Sequence, residues 1–127
     1  MGERDIVVLL RDMQPVLSDV PYGFGVWTTG ALTLQPFATV AEAEGLTVVA
    51  ALADMEAAGM QSEPWARLSL TVHSDLAAVG LTAAIAGALA AEGISANVIA
   101  GFHHDHVFVQ WFRRHDALAA LQELSRA

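Results

Sequence analysis

Apolar and polar residues follow a regular pattern through most of the second half of the chain. Alternation over residues 67–73 predicts a half-buried strand whose apolar side chains share one face, namely Leu68, Leu70 and Val72. Apolar residues at every fourth position predict a helix over residues 80–92, namely Leu81, Ile85 and Leu89. Beyond Gly93 the pattern predicts two strands and a last helix, over residues 96–101, 106–111 and 118–124.

The first half has a weaker pattern of the same kind. Residues 5–13 have a helical apolar face that Pro15 ends. Alternation from Tyr22 to Thr28 predicts a strand whose glycine face can approach a helix, another backbone or a ligand. Two strand-like runs around Glu44-Gly45 predict a hairpin, and a short helix that Gly59 ends follows them, with the ranges 37–43, 46–50 and 52–58.

The order hairpin then helix occurs twice, at residues 37–58 and again at residues 96–124. Residues 60–64 are the predicted linker between the two copies. We therefore expect an α+β chain with two parts. Residues 1–64 hold an N-terminal helix and a degenerate unit, and residues 65–127 hold a fuller unit.

Composition narrows the classes of function. Of the 127 residues, 54% are hydrophobic and 16% are charged, which favours extensive burial and leaves apolar surface for a subunit interface. The formal net charge of -8, with no basic patch, argues against nucleic-acid binding. The absence of cysteine excludes disulfides and thiolate sites. The sequence shows neither a signal peptide nor a membrane span, so we expect a cytoplasmic protein without membrane partners.

The predicted start of the helix over residues 80–92 is a candidate site for a small molecule. Amides at a helix N-terminus lack backbone partners and carry partial positive charge, so a carboxylate can bind near Gly80, Leu81 and Thr82. Asp75 could hold an ammonium group, and together the two charges would suit a free amino acid. A plain helix start, capped by Ser74 or Asp75, is the alternative.

A second candidate is the histidine-rich turn before the strand at residues 106–111. Imidazole and carboxylate groups bind Zn, Ni or Fe, so a metal or a ligand could contact His103, His104 and His106. The sequence has no helical pair of histidines four residues apart, and polar residues are common in hairpin turns. We therefore assign no metal and no cofactor, and keep metal binding as an alternative.

Catalysis has little support. Ser69, His73, Ser74 and Asp75 lie close together in sequence, so a nucleophile and a base can be imagined. Neighbouring residues of a strand point to opposite faces, however, and no glycine-framed nucleophile turn surrounds Ser74. We expect a protein without enzymatic activity.

Residues 70–85 and 92–109 resemble an ACT domain. The first segment is similar to that family's first strand, loop and helix, with Val79-Gly80 where the family has Pro-Gly and with Asp75 upstream. The second is similar to its helix exit and second strand, at residues 93–95 and at Asn97-Val98. The whole chain resembles the tandem ACT regions of aspartokinases and of cytosolic arginine sensors.

The resemblance implies a ferredoxin-like sandwich, an antiparallel sheet with helices on one face, that forms a homodimer. It implies a regulatory module for a small-molecule effector, most simply an amino acid, held by Ser74, Asp75, Val79, Gly80, Leu81 and Thr82. Asn97 and Val98 would close the site from a neighbouring unit. Any regulated protein would be a separate chain. A degenerate unit that only mediates dimerisation, without a ligand, remains the alternative.

Overall fold

The computed structural model describes residues 2–126, which group into two compact units. Unit 1 combines the residues up to Ser18 with the residues from Ala66 onward, and unit 2 is Asp19–Trp65. Along these residues the elements are α1 (Ile6–Asp12), β1 (Pro15–Leu17), β2 (Tyr22–Trp27), β3 (Ala38–Glu42), β4 (Gly45–Ala51), α2 (Leu52–Ala57), β5 (Trp65–Leu70), α3 (Leu81–Ala91), β6 (Asn97–Ala100), β7 (Asp105–Gln110), a 3-10 turn (Trp111–Arg113) and α4 (Arg114–Arg126). No helix among them is long and apolar enough to cross a membrane.

The sheet of unit 1 has the strand order β1-β5-β7-β6. Its terminal pairs are antiparallel, with Leu17 opposite Leu68 and Val98 opposite Val107. Strand, helix, two strands and helix follow one another from β5 to α4, and β1 lies on the outer side of β5. This is the split arrangement of a ferredoxin-like fold, in which the preceding part of the chain supplies the remaining strand. The predicted α+β class with antiparallel strands is confirmed.

Three helices cover one face of this sheet. The strands point Leu68, Leu70 and Val107 into the core, alternating with more exposed residues. Each helix adds fully or almost fully buried side chains: Leu9 in α1 and Met13 directly after it, Leu81, Ile85 and Leu89 in α3, and Ala117 and Leu121 in α4. Burial of each large aliphatic side chain contributes about 1.5–3 kcal/mol, so this shared core fixes where α3 begins relative to β5 and β7.

Unit 2 is a smaller version of the same plan. Strand β4 lies between β3 and β2, both antiparallel to it, and Tyr22 of β2 pairs with Trp65. Its core consists of Val48, Ala50 and Met55, with the short helix α2 against the sheet. The glycine face predicted on β2 allows this contact, because a Cβ atom on Gly23 would lie 2.7 Å from Met55 Sδ.

The structure differs from the sequence-based prediction in several details. Strand β1 was not predicted, and it forms because Pro15–Leu17 pairs with Leu68–Leu70. The hairpin turn is at Ala43-Glu44 rather than at Glu44-Gly45, since Glu42 already pairs with Gly45. Strand β5 ends at Leu70 rather than at residue 73. The predicted boundary at residues 64 and 65 remains a prediction, although α1 clusters with unit 1.

The close contact at Gly23 predicts opposite effects for two glycine-to-alanine changes. Gly23→Ala should lower the free energy of unfolding by about 1–3 kcal/mol, because the new methyl group overlaps Met55 and the Ser62 Cβ atom at 2.8 Å. Gly87→Ala, in the exposed part of α3 with no atom within 4 Å, should raise it by about 0.5–1 kcal/mol. Urea unfolding of both variants checks this, and equal midpoints would contradict it.

Candidate functional site

A buried hydrogen bond joins the loop after β5 to the start of β7, at one end of the unit 1 sheet. Ser74 Oγ, in the loop after β5, donates to Asp105 Oδ2, at the start of β7, over 3.2 Å. Ser74 is 7% exposed and Asp105 is 9% exposed. Glu3 adds backbone support from the chain's start, because its N–H donates to His73 and its carbonyl accepts from Asp75, each over 2.9 Å.

A small cavity of about 80 Å³ lies beside this pair. Its walls come from the loop after β5, the first turn of α3, the end of β6 and the start of β7. The lining residues are Ser74, Asp75, Leu76, Ala78, Leu81, Thr82, Ala100 and Asp105. A water molecule in the liquid occupies about 30 Å³, so the cavity has room for one small polar group rather than for a whole metabolite. It can bind the polar end of a ligand whose remainder projects outward.

The first turn of α3 faces this cavity with Leu81 and Thr82. Gly80 is the residue before the helix, and it has φ +103°, a left-handed conformation that favours glycine. Within residues 2–126 no side chain caps this helix through a hydrogen bond, and its first turn contains no acidic residue. The positive end of the helix therefore keeps its capacity to bind an anion.

Asp75 lines the cavity, but its carboxylate already has partners. Its Oδ1 accepts the N–H of Ala77 over 2.7 Å, and its Oδ2 lies 3.3 Å from Arg4 Nε. The Ala77 hydrogen bond and then the Arg4 guanidinium hold the pKa of Asp75 below its usual range. Asp75 thus shapes the loop, and its predicted role as the ammonium acceptor competes with these contacts.

The other predicted site residues lie at varied distances from the cavity. Val79 is 83% exposed and stands outside the lining. Asn97 and Val98 begin β6, whereas Ala100 at the other end of that strand lines the cavity. Val98 packs against the unit 1 core. The prediction that Asn97 and Val98 close the site from a neighbouring unit therefore stays a prediction.

The histidines of the turn between β6 and β7 cluster beside the cavity rather than in it. The ring centroids of His73 and His103 are 4.9 Å apart, in an edge-to-face arrangement. His104 uses Nδ1 to bond the Val72 carbonyl over 3.2 Å. These contacts tie the turn to the loop that carries Ser74.

His106 lies on the opposite face of the sheet, where its Nδ1 and Ser69 Oγ are 2.7 Å apart. This nitrogen therefore already has a side-chain neighbour. Within residues 2–126, three or more His, Asp or Glu side chains nowhere come together in an arrangement that could hold a metal ion. The metal-binding alternative accordingly has no geometric support in the described part of the chain.

Larger depressions exist in unit 1, but they have a different character. A groove of about 590 Å³ lies between α3 and α4, with an alanine floor and with Glu92, Asp116 and Glu123 on its rims. It is wide open, and its lining residues include no buried polar group. We consider the smaller cavity the better candidate because buried polar side chains and a helix N-terminus converge there.

Sequence reasoning found one wall of this cavity and missed the other. It identified Ser74, Leu81 and Thr82, which all line the cavity. It did not include Asp105 among the candidate site residues, although Asp105 provides the buried carboxylate. Asp105 approaches Ser74 across 31 positions, a contact that no local pattern indicates.

Family models and solved structures both match this chain. Two family models described as ACT domain match the chain, one over residues 1–67 and the other over residues 62–123. A crystal structure from Vibrio cholerae, described as a protein of unknown function and possible transport protein, is similar at 46% identity and TM-score 0.83, covering 94% of this chain and 95% of that one. The regulatory subunit of aspartate kinase from Thermus flavus shares the fold, at 11% identity and TM-score 0.61, with 87% and 95% covered. No protein with a curated description matches.

The environment of His106 predicts a dependence of stability on pH. Burial, the Arg67 guanidinium and His104 hold the pKa of His106 below its usual range, against a smaller opposite effect of Asp105. The unfolded chain, whose imidazole has a pKa of about 6.5, therefore binds a proton more readily than the folded protein. The stability that this group contributes is present above about pH 6.5 and is lost as the pH falls below that value.

His106→Gln should consequently reduce the loss of unfolding free energy between pH 7.5 and pH 5.5. The matched control is His115→Gln, an exposed position on α4. Urea unfolding of the two variants and the parent at both pH values measures the effect. The same pH dependence in His106→Gln as in the parent would refute this explanation.

Proposed function

Because the chain belongs to the ACT domain family and carries two ACT domains in tandem, we propose that it is a non-catalytic regulatory module that binds a free amino acid. The site is the cavity between Ser74, Asp105 and the first turn of α3. The observation that carries the proposal is the convergence of a buried carboxylate with an uncapped helix N-terminus in a space of about 80 Å³.

The charges around the cavity favour a zwitterion over a simple anion. The helix N-terminus attracts a carboxylate, but the chain has a formal net charge of -8 and Asp105 lies in the same cavity. A ligand with an ammonium group next to its carboxylate can interact favourably with both the helix N-terminus and Asp105. The α-carboxylate would bind the amides of Leu81 and Thr82, and the α-ammonium would bind Asp105.

This arrangement revises one predicted role. Asp75 was expected to receive the ammonium group, yet its two oxygens contact Ala77 N–H and Arg4. Within the described residues, the carboxylate of Asp105 accepts one hydrogen bond from a side chain, that of Ser74 Oγ. An ammonium group at Asp105 would pair two full charges and would leave the hydrogen bond from Ser74 Oγ to Oδ2 in place, because the carboxylate has a second oxygen.

The proposal includes a homodimer in the cytoplasm. A second copy would bring Asn97 and Val98 to the mouth of the cavity, as the resemblance to tandem ACT proteins implies. The cytoplasm is where pools of free amino acids would act as the signal. A ligand-free dimerisation domain is the competing function, and ligand response separates the two.

The first test uses a side chain that takes the place of the ligand carboxylate. Thr82→Glu puts a carboxylate in the first turn of α3, at an exposed position that lines the cavity. The fold should be unchanged or slightly stabilised, by about 0.3–1 kcal/mol, because the negative charge suits the helix dipole. Affinity for the effector should fall at least about tenfold, the equivalent of 1.4 kcal/mol.

Thermal unfolding with a panel of L-amino acids provides the measurement. A ligand at 100 times its Kd stabilises the native state by about 2.7 kcal/mol, which corresponds to a Tm rise of roughly 10 °C here. Ala86→Glu, one turn further along α3 and outside the cavity, is the matched control and should respond like the parent. If the parent shows no shift with any amino acid near saturation, the regulatory-ligand function is excluded.

The second test removes the charge of the proposed ammonium acceptor. Asp105→Asn keeps an oxygen that can accept from Ser74 Oγ, so the loop should stay in place. Effector affinity should nonetheless fall about 10–100-fold, since a charged hydrogen bond contributes about 1.5–3 kcal/mol. Isothermal titration calorimetry measures it, with Asp12→Asn, whose carboxylate pairs with Arg11 on the surface, as the control. Unchanged affinity in Asp105→Asn would place the ammonium elsewhere.

A further inference from the structure

Two of the chain segments that contribute to the cavity carry an exposed apolar side chain. Leu76 lines the cavity and is 63% exposed, although leucine is usually buried. Phe102 is 65% exposed in the turn that joins the lining residues Ala100 and Asp105. Its ring meets the ring of His103 edge-on, with centroids 5.2 Å apart. We call Leu76, Phe102 and the neighbouring His103 the rim.

The charges close to the rim are already engaged. The carboxylate of Asp75 contacts Arg4 and Ala77, and one oxygen of Glu3 accepts the backbone N–H groups of Arg4 and Asp5. A charged side chain entering here would compete with these existing contacts for Arg4 or Asp75. An apolar side chain breaks neither contact and removes apolar surface of both partners from water.

We infer that Leu76 and Phe102 are specificity-determining residues that select an amino acid with an apolar side chain. The cavity of about 80 Å³ holds the α-ammonium and α-carboxylate groups, and the rim covers an aliphatic or aromatic side chain as it leaves the cavity. This inference rests on the proposed function, because it assigns the chemical class of the ligand for the same site.

The test is a calorimetric titration of the full chain with individual L-amino acids at pH 7.5. Leucine, isoleucine, methionine and phenylalanine should bind at least tenfold more tightly than lysine, arginine, aspartate and glycine. Leu76→Ser and Phe102→Ser should each weaken leucine binding at least fivefold and weaken glycine binding by a smaller factor. A pure folding defect would weaken both ligands alike. Val16→Ser, an exposed apolar position on β1, should change neither.

Three results would overturn the inference, and they are distinguishable. Binding of a charged amino acid as tightly as leucine removes the selectivity and leaves the amino-acid function intact. An oligomeric state that changes in Leu76→Ser by size-exclusion chromatography, with unchanged selectivity, makes the rim a subunit interface. Absence of binding by all eight amino acids, in a parent protein that unfolds cooperatively, removes the inference, and the proposed function is removed as well only if the full panel of L-amino acids also gives no thermal shift.

Discussion

A buried carboxylate at the start of β7 is the constraint on which the candidate site depends. Burial of an ionised carboxylate is costly unless hydrogen bonds compensate for lost water, and Asp105 receives one from Ser74 Oγ. The bond holds the loop after β5 against the turn before β7, and the common core fixes the start of α3 beside them. A cavity with opposite charges on its walls results from these two requirements.

The two units differ in the connection that follows their first long strand. This difference explains why the candidate site lies in unit 1. In unit 1 the strand β5 leads to α3, whose 11 residues provide a helix N-terminus at the sheet end. In unit 2 the corresponding connection from β2 to β3 is residues 28–37, which the structure describes throughout and which form no helix. Methionine side chains on the glycine face of β2 instead fill the core. Unit 2 therefore has the sheet of an ACT domain without the helix that borders the candidate site in unit 1.

Sequence reasoning predicted most elements because their burial follows a local period. Alternation along β5 and the four-residue spacing of Leu81, Ile85 and Leu89 reflect one-sided burial directly. Strand β1 escaped prediction because three residues give no period, and pairing with β5 creates it. The same limit applies to the site. Gly80 and Thr82 were found from a helix start, whereas Asp105 depends on a contact between distant residues. Asp75 was identified because of its charge, but its carboxylate is engaged by Arg4 and by the N–H of Ala77.

The central claim is that a zwitterion binds between the Ser74–Asp105 pair and the first turn of α3. The most direct measurement is a ¹H–¹⁵N NMR titration with the L-amino acid that stabilises the protein most. The account predicts that the largest changes in chemical shift occur over residues 74–82 and 100–105, with the amides of Leu81 and Thr82 among them. Changes centred on the groove between α3 and α4, at Ala88, Glu92 and Ala120, would contradict it.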